Sequence, residues 1–149
     1  MSTSKPEQCA AGFADIDSDP NTSCAACSVG TYAAAAQVSC TDCAVGTADL
    51  DSDASTVCSP CAARTYAAAR ATTCIYCVAG KFDDDSNATT ACVSCATGRF
   101  SAAAADACTD CVAGQVDGDS DPATACTSCS AGTYAVAAET VCTDCAAGT

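Results

Sequence analysis

Apolar side chains larger than alanine are thinly spread along this chain, and they recur at fixed places. One aromatic stands five residues after every second C-x-x-C motif: Tyr32, Tyr66, Phe100 and Tyr134. Alanine runs follow it (Ala33–Ala36, Ala102–Ala105), and the next stretch is rich in Asp, Ser and Thr. The runs have helix propensity, but each is pinned between cysteines about a dozen residues apart, where nucleation is barely repaid. The pattern therefore predicts short extended pieces and turns, with one helical turn in the alanine runs. The repeated aromatic is expected to lie across a neighbouring disulfide and shield it from water; a ligand-contacting ring is the alternative.

Glycine marks the turns. It falls three residues after a cysteine at positions 12, 30, 46, 80, 98, 114, 132 and 148, and Arg64 is the one departure. A recurring glycine signals a tight turn with positive φ. At Arg64 either the turn changes type or strain is accepted.

The cysteines set the register. Sixteen of the 17 form C-x-x-C pairs at 24/27, 40/43, 58/61, 74/77, 92/95, 108/111, 126/129 and 142/145, and Cys9 stands alone. Offsets alternate between 16 and 18, so the period is 34 and each repeat has a long and a short half. Residues 9–42, 43–76, 77–110 and 111–144 are four repeats, 145–149 opens a fifth, and 1–8 is an N-terminal cap or processed end. A period held this long is a repeat architecture.

Composition decides what holds it. Leu, Ile, Val and Phe number only sixteen in 149 residues, and the net charge is −13. Such a chain cannot bury enough carbon to offset the entropy of ordering, so cysteine must supply the cross-links. Zinc would fit the spacing as four four-cysteine sites, but each adds a net −2 and would carry the chain from −13 to −21 with no histidine to compensate. Redox-active C-x-x-C motifs are a poor fit, because eight identical pairs lack a thioredoxin-like strand and helix. Disulfides remain. The simplest connectivity is Cys9–Cys24, Cys27–Cys40, Cys43–Cys58, Cys61–Cys74, Cys77–Cys92, Cys95–Cys108, Cys111–Cys126 and Cys129–Cys142, with Cys145 unpaired or intermolecular. Crossed pairing within a repeat is the open alternative. The expected fold class is thus small and disulfide-rich, an elongated solenoid-like rod of short β-hairpin and turn modules with a sequential disulfide ladder.

The long halves carry alternating oxygen donors: Asp15, Asp17 and Asp19; Asp49, Asp51 and Asp53; Asp83, Asp85 and Asn87; Asp117, Asp119 and Asp121. D-x-[DN]-x-[DN] is how calcium loops present ligands, although the glycine and distant glutamate of an EF-hand are missing. These residues are candidates for a weak structural calcium, with Thr22, Thr56, Thr90 and Thr124 completing each loop; a solvated acidic loop is the alternative. Asn21 and Asn87 head N-x-[ST] sequons in the same loops and are candidate N-glycosylation sites. Nearby Ser and Thr are candidates for O-linked glycans.

Five scattered basic residues against 18 acidic ones argue against nucleic-acid binding, and no run of 18 apolar residues suits a membrane span. The segment before Cys9 is not a signal peptide, so these residues are expected to be part of a longer chain. Cys145 lacks a closing partner and is expected to continue into more repeats or to bond another chain. Enzyme chemistry finds no imidazole base and no apolar pocket to tune a carboxylate.

The frame C-x-x-C-x-x-G-[TRK]-[YF]-x(n)-C-x-x-C, as in CAACSVGTYAAAAQVSCTDC (24–43), resembles the cysteine-rich repeats of ephrin-receptor-like and GCC2/GCC3 type, distantly the tumour necrosis factor receptor modules. The resemblance covers residues 9–149 and implies an elongated, extracellular array of small β-rich modules with sequential disulfide linkage. It implies no particular ligand, since such repeats occur in receptors, adhesion proteins and large protist surface proteins. The expectation for function is a non-enzymatic structural subunit or segment of an extracellular filament, surface hair or cell-surface layer, self-associating or continuing in a longer chain. The alternative is a ligand-binding or adhesive receptor ectodomain, which the lack of Trp and of any specialised module disfavours.

Overall fold

The computed structural model describes residues 8–19 and 21–146. Its elements are eight two-stranded antiparallel hairpins in chain order. They pair Phe13–Ala14 with Ala25–Ala26 (β1, β2), Thr31–Tyr32 with Thr41–Asp42 (β3, β4), Thr47–Ala48 with Ser59–Pro60 (β5, β6) and Thr65–Tyr66 with Ile75–Tyr76 (β7, β8). They continue with Lys81–Phe82 and Val93–Ser94 (β9, β10), Arg99–Phe100 and Thr109–Asp110 (β11, β12), Gln115–Val116 and Thr127–Ser128 (β13, β14), and Thr133–Tyr134 and Thr143–Asp144 (β15, β16). The bonded pairs among the cysteines are 9–24, 27–40, 43–58, 61–74, 77–92, 95–108, 111–126 and 129–142, so one disulfide closes each hairpin.

The strands are two residues long because turns and cysteines bound them on both sides. Each first strand starts from a tight turn, as where the Phe13 amide donates to the Ala10 carbonyl (3.1 Å) and the Thr31 amide to that of Ser28 (3.0 Å). The third residue of that turn is Gly12 at φ 87° and Gly30 at φ 77°, the left-handed geometry in which a Cβ is strained. Arg64 sits in the same place at φ 69°. Strain is therefore accepted, and the turn keeps its type. Gly148 lies outside the described residues.

No residue in the described chain is helical. The alanine run after Tyr32 closes as a turn instead of a helical one, with Ala36 at φ 65°, because its amide is drawn to the carbonyl of Cys9 (2.7 Å). Arg70, Ala104 and Ala138 repeat the conformation at φ 62°, 60° and 63°, each donating to the carbonyl of a long-half cysteine: Cys43, Cys77 and Cys111.

The chain divides into two compact units, the first comprising Met1–Ala62, Tyr66–Ile75 and Ala88–Thr90, the second Ala63–Thr65, Tyr76–Asn87 and Ala91–Thr149. Inside the first, successive half-repeats are joined by backbone bonds: Gly12 N–H to Ala33 O (2.8 Å), Ala33 to Ala54 (3.0 Å), Gly46 to Ala67 (2.8 Å) and Ala67 to Ala88 (3.1 Å). Inside the second, the same series reads Gly80 to Ser101 (3.0 Å), Ser101 to Pro122 (3.1 Å) and Gly114 to Ala135 (2.9 Å). Backbones that approach this closely leave room only for small side chains. Ala14, Ala33, Ala48, Ala67 and Ala135 are buried, and the largest side chains buried outright are Cys43, Cys77 and Cys111. The core is sulfur and methyl groups, so alanine serves here as packing and not as helix former.

Candidate functional site

The acidic long halves were the candidate ligand sites, and the structure gives each of their alternating positions a different task. The first aspartate reaches back to the preceding half-repeat. Asp49 Oδ2 accepts the Gly30 amide (3.0 Å), Asp83 Oδ2 that of Arg64 (2.6 Å) and Asp117 Oδ2 that of Gly98 (3.0 Å), each 19 residues away. All three aspartates are buried. A carboxylate accepting a backbone N–H away from water makes a charge-assisted bond stronger than a neutral one. These aspartates tie one module to the next, a role that neither reading of the loop had included. Asp15, the first of the series, is only half-buried, and no backbone amide among the described residues donates to its carboxylate.

The second aspartate organises its own loop. Asp17 Oδ1 accepts the Asp19 amide (3.1 Å) and the Thr22 hydroxyl (2.8 Å). Asp51 does the same with Asp53 (3.0 Å) and Thr56, and Asp119 with Asp121 (3.1 Å) and Thr124. The third position takes the amide two residues on, from Asp19 to Asn21 (2.9 Å), Asp53 to Ser55 (2.9 Å) and Asp121 to Ala123 (3.0 Å). These are successive Asx turns. The residue between the first two loop acceptors, Ser18, Ser52 and Ser120, is held at φ 56–57°. In the third repeat Asp85 accepts the Asn87 amide (2.9 Å), and Asp83 uses its other oxygen on the Ser86 amide (2.9 Å).

Many of these oxygens therefore face donors of their own chain, and three of the threonines predicted to complete a calcium loop, Thr22, Thr56 and Thr124, direct their hydroxyls at the aspartates themselves. Among the described residues, one group of three acids brings its ligand atoms within 4.8 Å of one another: Asp83, Asp84 and Asp85. Asp84 stands where the other repeats have Ile16, Leu50 and Gly118, so this cluster belongs to one repeat only and could in principle coordinate a cation.

Hydrogen bonds to the ionised form lower a carboxyl pKa. The amides of Asp19, Asp53 and Asp121, followed by the threonine hydroxyls, hold Asp17, Asp51 and Asp119 below the usual 3.8. The Ser55 hydroxyl and amide do so for Asp53, and the Arg64 amide leads for Asp83 against the opposing effect of burial. A depressed folded pKa contributes stability that is complete above 3.8 and is lost as pH falls through the folded value. Thermal unfolding with disulfides intact should therefore shift to lower temperature between about pH 5 and pH 2. Asp83→Asn should show a smaller shift, which circular dichroism at stepped pH will measure; equal pH dependence in both would refute the assignment.

The remaining candidates are placed as follows. Asn21 and Asn87 are exposed, and the Asn21 amide nitrogen donates to Asp19 Oδ1 (3.0 Å). Tyr32, Tyr66 and Phe100 are half-buried, whereas Tyr134 is 52% exposed. Cys145 is exposed and its thiol is free. Among the described residues, surface ion pairs join Arg64 to Asp106, Arg70 to Asp42 (3.6 Å) and Arg99 to Asp110 (2.5 Å); exposed pairs of this kind contribute little.

No protein-family model and no curated protein matches the chain. What the geometry establishes is a tandem-repeat, disulfide-rich β-hairpin architecture consistent with the cysteine-rich repeat superfamilies. Its heavy cross-linking is consistent with a structural or adhesive role outside the cell, where disulfides persist. No helix in the described residues is long and apolar enough to cross a membrane.

Proposed function

We propose that this chain is a non-enzymatic structural subunit or segment of an extracellular filament, surface hair or cell-surface layer. The observation that carries the reading is the uniformity of the joints. The same bond set, a turn amide to a buried aspartate plus backbone donors to the next half-repeat, is found in both units, once with Asp49 in the first and with Asp83 and Asp117 in the second. Stability in such an array is local and additive, so its length is free to suit a scaffold. Large apolar side chains left exposed, such as Val57 and Val141, occupy positions that the other repeats fill with Ser, Thr or Ala. A specialised binding module would gather such groups into one patch.

Asn21 and Asn87 are the proposed glycan attachment points, both on exposed loops. Negative-stain images of native material should show filaments whose axial spacing is tied to the repeat, and glycosidase treatment should lower the intact mass of the subunit. Monodisperse particles that capture one soluble partner would replace this reading with that of a receptor-like ectodomain.

A further inference from the structure

Four disulfides, Cys43–Cys58, Cys61–Cys74, Cys77–Cys92 and Cys95–Cys108, have further repeats on both sides among the described residues. Their cysteines are 13 or 15 residues apart, so chain entropy does not separate them. Burial does. Cys43, Cys77 and Cys95 are 0%, 1% and 8% exposed, and each is bonded to a half-buried partner. Cys61–Cys74 is the one bond of the four in which both cysteines are half-buried. Charge sets the same bond apart. Between Cys61 and Cys74 lie Arg64 and Arg70 and no acid. The Cys43–Cys58 loop holds Asp49, Asp51 and Asp53 and no base. The Cys77–Cys92 loop sets Lys81 against Asp83, Asp84 and Asp85, and the Cys95–Cys108 loop sets Arg99 against Asp106.

We propose that Cys61–Cys74 is a thiol–disulfide exchange site, opened by a small anionic thiol ahead of the other three bonds. The attacking thiolate approaches one sulfur along the S–S axis and expels the other as a thiolate. At Cys61–Cys74 both cysteines are within reach of solvent. At the other three bonds the approach to the buried sulfur is closed. Attack on its half-buried partner then drives negative charge onto a sulfur away from water, where a thiolate is disfavoured. Arg64 and Arg70 add a local attraction for the incoming anion, in a chain whose net charge of −13 repels one. Each also pairs with an exposed aspartate, Asp106 or Asp42, so the attraction is partial and burial is the larger effect. In the first step the reagent sulfur bonds to Cys74 Sγ, the Cys61–Cys74 bond breaks, and its electron pair leaves on Cys61 Sγ. A second thiolate attacks the reagent sulfur of the mixed disulfide and releases Cys74 as a thiolate. The two protein thiolates take up the protons that the two reagent thiols lost, so two cysteines are reduced and one small disulfide forms. The product is open only in the second short half. There the β7–β8 hairpin loses its clasp, and Arg64 is freed from a turn held at φ 69°.

The test uses the oxidised full chain carrying Cys145→Ser, which removes the free thiol and with it internal shuffling. Reduced glutathione, an anionic monothiol, is added near neutral pH, samples are alkylated at intervals, and labelling of each cysteine is followed by peptide mass spectrometry. In initial rate, Cys61 and Cys74 should be labelled at least about tenfold faster than the cysteines of the other three bonds. Cys95–Cys108 is the sharpest comparison, because it closes a short half with the same separation of 13 residues while Cys95 is buried. If it opens along with Cys61–Cys74, or if the four bonds open at one rate, the proposal is overturned. Mercaptoethanol, which carries no charge besides its thiolate, isolates the arginines. Arg64→Gly with Arg70→Ala installs the residues that the other repeats carry at these places. This double variant should slow glutathione about threefold relative to mercaptoethanol, with Cys61–Cys74 still first to open. Equal slowing of both reagents would overturn the part given to charge. Loss of the order in the variant would overturn the part given to burial.

Discussion

Reduction and alkylation of the sixteen bonded cysteines will leave this chain disordered at 25 °C, and removal of one disulfide will open one module while leaving distant ones closed. The first result follows from what is buried among the described residues: alanines, short polar side chains and the half-cystines themselves, with Val116 the one larger aliphatic. A loop of about fifteen residues constrained by a disulfide is worth roughly 3 kcal/mol on the chain-entropy model. No apolar core stands behind these bonds to hold the reduced state. For the single-bond case, Cys77→Ser with Cys92→Ser frees the third long half, at a cost of about 3 kcal/mol. It also puts two hydroxyls where Cys77 was buried. Hydrogen exchange read by mass spectrometry should show lost protection around 77–92 and retained protection around 9–40. Uniform loss along the chain would mean that the repeats are one cooperative body, contrary to nearest-neighbour coupling.

Gly98→Ala will destabilise far more than Gly114→Ala, although the two turns are alike. Both glycines have positive φ, 78° and 83°, so both alanines carry about 1 kcal/mol or more of left-handed strain. Only at Gly98 does the added methyl collide with backbone, at the Ala138 carbonyl, while at Gly114 it meets open space. A carbonyl in a bonded turn cannot step aside as a side-chain tip can, and overpacking of this kind costs about 1–3 kcal/mol further. Denaturant unfolding of the two variants with disulfides intact isolates that difference, because the dihedral cost is common to both. Equal effects would show that the internal seam is loose enough to absorb a methyl group.

The period, the two unequal halves and the hairpin modules were legible because cysteine and glycine spacing encodes them directly. Arg64 was legible as a problem but not as an answer. Only the structure shows that the turn survives at φ 69°, with its amide held by Asp83. The separate tasks of the aspartates were not legible, for a definite reason. Alternate acids look the same in sequence whether they converge on an ion or diverge to three sets of amides. Nothing local distinguishes Asp49, which reaches 19 residues back, from Asp51, which serves its own loop. The alanine runs misled in the same way, since helix propensity is a local property and the draw of the Cys9 carbonyl on the Ala36 amide is not.

The aspartate that reaches back also limits how such a gene can grow or shrink. A long-half loop must follow a short-half turn for the Gly30–Asp49 bond to exist. Deleting 16 or 18 residues would set two halves of one kind side by side, whereas losing or gaining 34 restores every donor to its acceptor. Length variants of this protein are therefore expected in whole-repeat steps, each folding without any compensating change elsewhere.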